Sequence, residues 1–145
     1  MLSDSDWIRN LLGAYCERID AGDFAGVGDL FAHGRLTTVE GQVLATGAEQ
    51  VAAFYEAGTR RHDGAPRTKH LVVDTVLDPA DDDHVVARSS YVVLQALEGE
   101  MALQPIIAGR YVDSFARRAG RWVWTERRFE VDLVGDLSRH LTFEL

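Results

Sequence analysis

Residues 68–77, TKHLVVDTVL, mark the point at which the hydrophobic pattern passes from a helical period to an alternating one. Alternation places Thr68, His70, Val72, Asp74 and Val76 on one face of a strand and Leu71, Val73, Thr75 and Leu77 on the other. An imidazole therefore sits among branched apolar side chains. Three further extended runs follow, over 84–97, 103–116 and 121–133. Their separators are the acidic segment 78–83 (DPADDD), the loop 98–100 (EGE), and 117–120 (RRAG), all suited to hairpins. Consecutive hairpins predict an antiparallel meander.

Upstream the period is helical. Ser3 to Asp6 offers N-cap candidates and early negative charge, and Ile8, Leu11, Leu12, Tyr15 and Ile19 follow at spacings of three and four, up to Ala21-Gly22. Asp23 caps a second, short helix with Phe24, Val27, Leu30 and Phe31 on one face. A brief extended pair, 35–40 and 42–46, turns at Glu40-Gly41. A third helix opens at Gly47-Ala48-Glu49, carries Val51, Phe54 and Tyr55 on one side, and ends by Gly64-Ala65-Pro66. Three helices ahead of a meander can cover only one face of the sheet, so the fold class is α+β, as one domain over 1–145. The tail 135–145 retains Leu137, Leu141, Phe143 and Leu145 for packing on the sheet or on another subunit.

A chain of 145 residues, 46% hydrophobic, is long enough for one core with room for a cavity. Fifteen basic against 23 acidic residues give a formal charge of −8, with the basic residues scattered, which argues against nucleic acid and anionic membranes as partners. The single Cys16 forms no internal disulfide, and no segment reads as a secretory leader or a membrane span, so the expected address is cytoplasmic. No HExxH, CxxC or glycine-rich phosphate motif occurs, and metal and cofactor are both expected to be absent. Cys16 is read as a small buried thiol, Trp122 and Trp124 as core or interface anchors, and His33, His62, His84 and His140 as solvated surface.

The order of elements, with the segments LGAYCERIDAGDFAGVGDLF (12–31), TKHLVV (68–73) and GRYVDSFARRAGRWV (109–123), resembles the SnoaL-like and scytalone dehydratase-like members of the nuclear transport factor 2-like superfamily. The resemblance covers about residues 7–131 and implies a conical fold in which a strongly curved, mainly antiparallel sheet wraps against the helices around an apolar pocket. In dehydratases of the family an aspartate at the end of the first helix orients a strand histidine that acts as base, and Asp20 and His70 fall on those positions. YCERID also resembles the corresponding segment of bile acid 7α-dehydratases, which implies a site role for Tyr15. The second pocket histidine of scytalone dehydratase, on a later strand, has no counterpart in 85–97, where Ser89, Tyr91 and Gln95 are the polar residues, and Gly109 and Tyr111 replace its serine and asparagine.

Asp20 lies at a helix C-terminus, where the macrodipole disfavours negative charge, so a buried partner is needed to offset the cost. For His70, burial favours the neutral ring and a carboxylate favours the charged one, opposing effects that tune a base. The expected activity is a cofactor-independent acid/base lyase (dehydratase) or isomerase acting on a small hydrophobic cyclic or aromatic molecule. His70, Asp20 and Tyr15 are the catalytic candidates, and Tyr91, Tyr111, Ser89 and Phe54 the substrate-binding ones. The alternative is a noncatalytic small-molecule-binding or assembly subunit, as the resemblance to small subunits of ring-hydroxylating dioxygenases implies. A third option, epoxide hydrolysis, needs Asp74 or Asp113 gathered with Arg88 or Arg110 around a water. The resemblance also implies a homo-oligomer, dimer or trimer.

Overall fold

The computed structural model describes residues 1–145. Helix α1 (Asp4–Asp20) starts at Ser3, whose hydroxyl accepts from the Asp6 amide while the Asp6 carboxylate accepts from the Ser3 amide, a capping box. Its buried stripe is Ile8, Leu12, Tyr15 and Ile19. Gly22, at φ +75°, then turns the chain, and Asp23 caps α2 (Phe24–Leu30) by accepting from the Gly26 amide at 2.9 Å. Strands β1 (Arg35–Thr38) and β2 (Val43–Thr46) lead into α3 (Gly47–Gly58), which stops earlier than the sequence predicts.

The meander is β3 (Thr68–Asp81), β4 (His84–Leu97), β5 (Met101–Arg118) and β6 (Arg121–Val134). One curled six-stranded sheet has the order β2-β1-β6-β5-β4-β3, antiparallel except where β1 runs parallel to β6. The acidic segment predicted as a turn is largely strand, because β3 forms the sheet edge and Pro79 is tolerated there. Ala119 and Gly120, at φ +50° and +75°, make the tight β5–β6 turn.

A bulge corrects the predicted face of β3. The register slips between Val73 and Val76, with Asp74 at φ +54°. His70 and Val72 therefore face inward as expected, but beyond the bulge Thr75 and Leu77 are the half-buried residues while Asp74 and Val76 are exposed. Alternation restarts out of phase.

The core has two clusters. Trp124, Phe31, Phe115, Ile8, Leu36 and their neighbours pack the helices on the sheet, and Tyr91, Val93, Leu97, Met101, Ile106 and Tyr111 form a second group along β4 and β5. Each fully buried large apolar side chain contributes about 1.5–3 kcal/mol. A cavity takes its walls from both clusters. No helix is long and apolar enough to cross a membrane.

Candidate active site

The end of α1 delivers Asp20 to the start of β3. Its Oδ1 accepts from the Thr68 hydroxyl at 2.9 Å and lies 2.6 Å from His70 Nδ1, and its Oδ2 accepts from the His70 amide at 2.9 Å. These donors offset the unfavourable end of the helix dipole. Burial raises the Asp20 pKa, but the His70 ring and amide and the Thr68 hydroxyl outweigh it, and the carboxyl sits below its usual range. An ionised carboxylate only accepts, so Nδ1 of His70 donates and, in the neutral ring, Nε2 is the bare nitrogen. His70 is 8% exposed and forms part of the cavity wall.

That cavity, open on one side, holds about 570 Å³, a volume typical of small-molecule sites, and 15 of its 19 lining residues are hydrophobic. Four tyrosines contribute hydroxyls to it, beside Thr38, Glu40, His70 and His140. The Tyr15 and Tyr55 hydroxyls are 3.0 Å apart, and the Tyr91 and Tyr111 rings stack at 4.2 Å and 9°. Gly109 makes that stack possible, since a Cβ there would lie 2.9 Å from the Tyr91 ring and 2.0 Å from the Glu130 carbonyl oxygen. Burial raises the pKa of all four phenols, that of Tyr91 to about 12, so at neutral pH they are hydroxyl donors.

Beneath the tyrosines lies a sealed ion pair. Arg127 donates to Asp113 through Nε at 2.8 Å and Nη2 at 3.0 Å, Trp124 Nε1 donates to Asp113 at 3.0 Å, and both ionic side chains are fully buried. The guanidinium carbon stands 3.5 Å from the Tyr111 ring centroid and 4.3 Å from that of Tyr15. Its charge underlies the cavity floor.

Of the sequence candidates, His70, Tyr15, Tyr91, Tyr111 and Phe54 line the cavity, and Asp20 stands behind His70. Ser89 does not line it; its hydroxyl is buried 2.9 Å from that of Thr75, the residue that the bulge turned inward. The groups named for epoxide hydrolysis do not converge. Asp74 is exposed, Arg88 pairs with Asp78, Arg110 pairs with Asp132 and Glu130, and Asp113 is spent on Arg127. Trp124 is core, and Trp122 donates to Asp4 at 3.0 Å. Cys16 is half-buried, and burial pushes its thiol up to about 11.

One surface expectation is overturned. His140 is 8% exposed, lines the cavity, and has its ring centroid 6.2 Å from that of His70. The tail folds back over the end of α3, where Arg60 N donates to His140 O and Thr142 N to Gly58 O, and so carries the ring inward. A readable signal existed: Leu137, His140 and Leu141 fall at helical spacing, and the structure puts them on one turn. Arg127 was also missed, since an arginine in a strand ordinarily reads as solvated.

A family model described as a SnoaL-like domain matches residues 1–128, which leaves the end of β6 and the tail with His140 beyond the matched span. Among solved structures the chain is similar to a protein of unknown function with a cystatin-like fold from Nostoc punctiforme (20% identity, 92% of this chain and 95% of that one, TM-score 0.73). A candidate scytalone dehydratase from Novosphingobium aromaticivorans shares 16% identity over 92% of this chain and 87% of that one, with TM-score 0.71. The β subunit of a candidate aromatic-ring-hydroxylating dioxygenase from the same organism shares 21% over 89% of each chain, with TM-score 0.68. Identities this low speak to fold alone. No curated protein matches the sequence at significant similarity.

Proposed function

Because the chain belongs to the SnoaL-like domain family, we propose that it is a cofactor-independent acid/base lyase or isomerase whose substrate is a small, largely hydrophobic cyclic or aromatic carbonyl compound. The observation that carries this reading is an imidazole held at Nδ1 by a half-buried carboxylate, in the wall of an apolar cavity. His70 Nε2 takes a proton from the carbon beside the carbonyl, and the C–H electron pair becomes the enolate. Asp20 stabilises the imidazolium and fixes the ring. Tyr91, whose phenol stays protonated, donates to the enolate oxygen, and Tyr15 and Tyr111 complete the polar wall. Loss of a β-hydroxyl gives dehydration; return of the proton to another carbon gives isomerisation.

The test is turnover of a benzo-fused cyclic β-hydroxyketone, whose loss of water yields a naphthol that is followed by absorbance. The wild-type protein is expected to accelerate elimination, and His70→Ala to lower kcat by about 10²–10⁴ with ligand binding largely kept. Equal turnover by the variant removes the mechanism.

The second reading is a noncatalytic binding or assembly subunit, favoured by the likeness to a dioxygenase β subunit. Tight binding of cyclic ketones with no turnover by the wild-type protein is its signature. Under either reading, the exposed Leu71 and Val73 on the outer face of β3 offer an apolar surface to a second copy of the chain.

A further inference from the structure

The tail positions His140 through main-chain tethers that leave the ring itself uncommitted. His140 and Leu141 amides donate to Leu137 O at 3.0 Å each, Arg60 N donates to His140 O at 2.8 Å, and Thr142 is bonded to Gly58 O and Ala57 O. Gln95 Nε2, from β4, donates to Arg139 O at 3.0 Å. His140 is 8% exposed, yet its Nδ1 has no partner within the chain. A buried nitrogen of that kind calls for a small molecule to satisfy it.

A second, smaller void is bordered by both His70 and His140. It holds about 60 Å³, its polar borders are His70, His140 and Thr59, and it shares Phe54, Tyr55, Leu141 and Phe143 with the main cavity. One water needs roughly 10–15 Å³ of such space, so the void admits a few waters and no organic ring. No hydrogen bond joins the two imidazoles directly.

We propose that this chamber is the leaving-water pocket of the site, where His140 holds as a hydrogen-bonding partner the hydroxyl that a β-hydroxyketone expels. The inference rests on the acid/base reading of the main cavity and selects dehydration within it. His70 Nε2 removes the α-proton, the C–H pair becomes the new C=C bond, and the β-carbon–oxygen bond breaks with its electron pair on oxygen. That oxygen takes the proton from the His70 imidazolium and departs into the chamber as water, so His70 returns to its starting state. Two neighbouring imidazoles do not both carry charge readily, and Asp20 is hydrogen-bonded to His70. Burial, and then the nearby His70 and His62 against the opposing pull of Asp20, bring the His140 pKa down to about 4. At neutral pH it is an uncharged ring with one donor and one acceptor, beside a His70 that cycles through its cation.

Two measurements test this on the full chain. A crystal structure is expected to show ordered water within hydrogen-bond distance of a nitrogen of each imidazole; an empty chamber, or water touching neither ring, overturns the proposal. With the benzo-fused β-hydroxyketone, His140→Phe is expected to lower kcat at least about tenfold with KM little changed, and His140→Asn, which restores a polar group, to recover most of it. Unchanged kcat in His140→Phe overturns the chamber's role while leaving the His70 mechanism standing. If the wild-type protein does not turn over the ketone, the His70 mechanism has failed and the leaving-water role that rests on it falls with it.

Discussion

The Asp20–His70 and Asp113–Arg127 pairs each join a carboxylate to a nitrogen-bearing side chain, and under the proposed function the difference between them separates chemistry from support. Asp20 meets His70 at 2.6 Å and Asp113 meets Arg127 at 2.8 Å. The second pair is wholly enclosed, packed against the Tyr15, Tyr111 and Trp124 rings. Burial works against the guanidinium charge, but Asp113 and the surrounding groups outweigh it, and Arg127 holds its proton more firmly than an ordinary arginine. It has no proton to exchange. The first pair keeps one ring nitrogen uncommitted, and its ring borders the cavity. Under the proposed function, what sets the base apart from the strut is that its uncommitted nitrogen belongs to a ring on the cavity wall, whereas the unpartnered Nη1 of Arg127 is sealed in the core. The two regions share Tyr15 and Tyr111, whose rings lie near Arg127 and also wall the cavity, so the sealed pair supports side chains that face the same cavity as the open pair.

The largest expected effect lies in the sealed pair. Asp113→Asn leaves Arg127 charged and uncompensated in a dry core, at a cost of about 3–5 kcal/mol in urea denaturation. Replacing both partners with apolar residues, Asp113→Leu with Arg127→Met, should return much of that loss. A single-variant cost below about 1 kcal/mol would break the distinction between strut and base.

Acid stability comes next, and it reports on the open region. The unfolded chain takes up a proton on His140 near the ordinary value of about 6.5, while the folded chain resists until about 4. Stability is thus full above about pH 6.5 and is lost as pH falls toward 4, by about 3 kcal/mol at most. Asp20, whose folded pKa is depressed, adds a further loss once pH falls through the carboxylate range. In His140→Phe the loss between pH 6.5 and 4 should shrink, as urea midpoints at pH 7, 5.5 and 4 would reveal. An unchanged slope would mean that His140 is solvated after all.

The smallest of the three effects sharpens the role of Asp20. Asp20→Asn removes a charge-assisted hydrogen bond, worth about 1.5–3 kcal/mol, from the imidazolium that His70 becomes in the proposed reaction. Turnover of the cyclic β-hydroxyketone should fall about ten- to a hundredfold, with KM little changed. Full activity in the variant would reduce Asp20 to a second strut.

Much of this layout was legible in the sequence because it rests on local period and local turns. The stripe of Ile8, Leu12, Tyr15 and Ile19, the Ser3 cap and the 84–97 strand all stand where pattern placed them. Asp20 and His70 meet as the family resemblance implied. What escaped depends on contacts between distant segments. The bulge at Asp74 needs a non-glycine residue at positive φ, which no periodicity announces, and it replaced Asp74 with Thr75 as the inward residue beside Ser89. His140 reads as a terminal, solvated residue until the tail is tethered to the end of α3. Arg127 is buried because Asp113, its cross-strand register partner, and three aromatic rings gather around it from separate elements.

The central claim is that Asp20 fixes the tautomer of His70 so that a bare Nε2 is available to the cavity. Nitrogen NMR of the His70 ring, recorded at alkaline pH, tests it most directly. The proton is expected on Nδ1, with Nε2 unprotonated and shifting when a cyclic ketone is added. A ring protonated on Nε2, or nitrogen signals indifferent to the ketone, would contradict it.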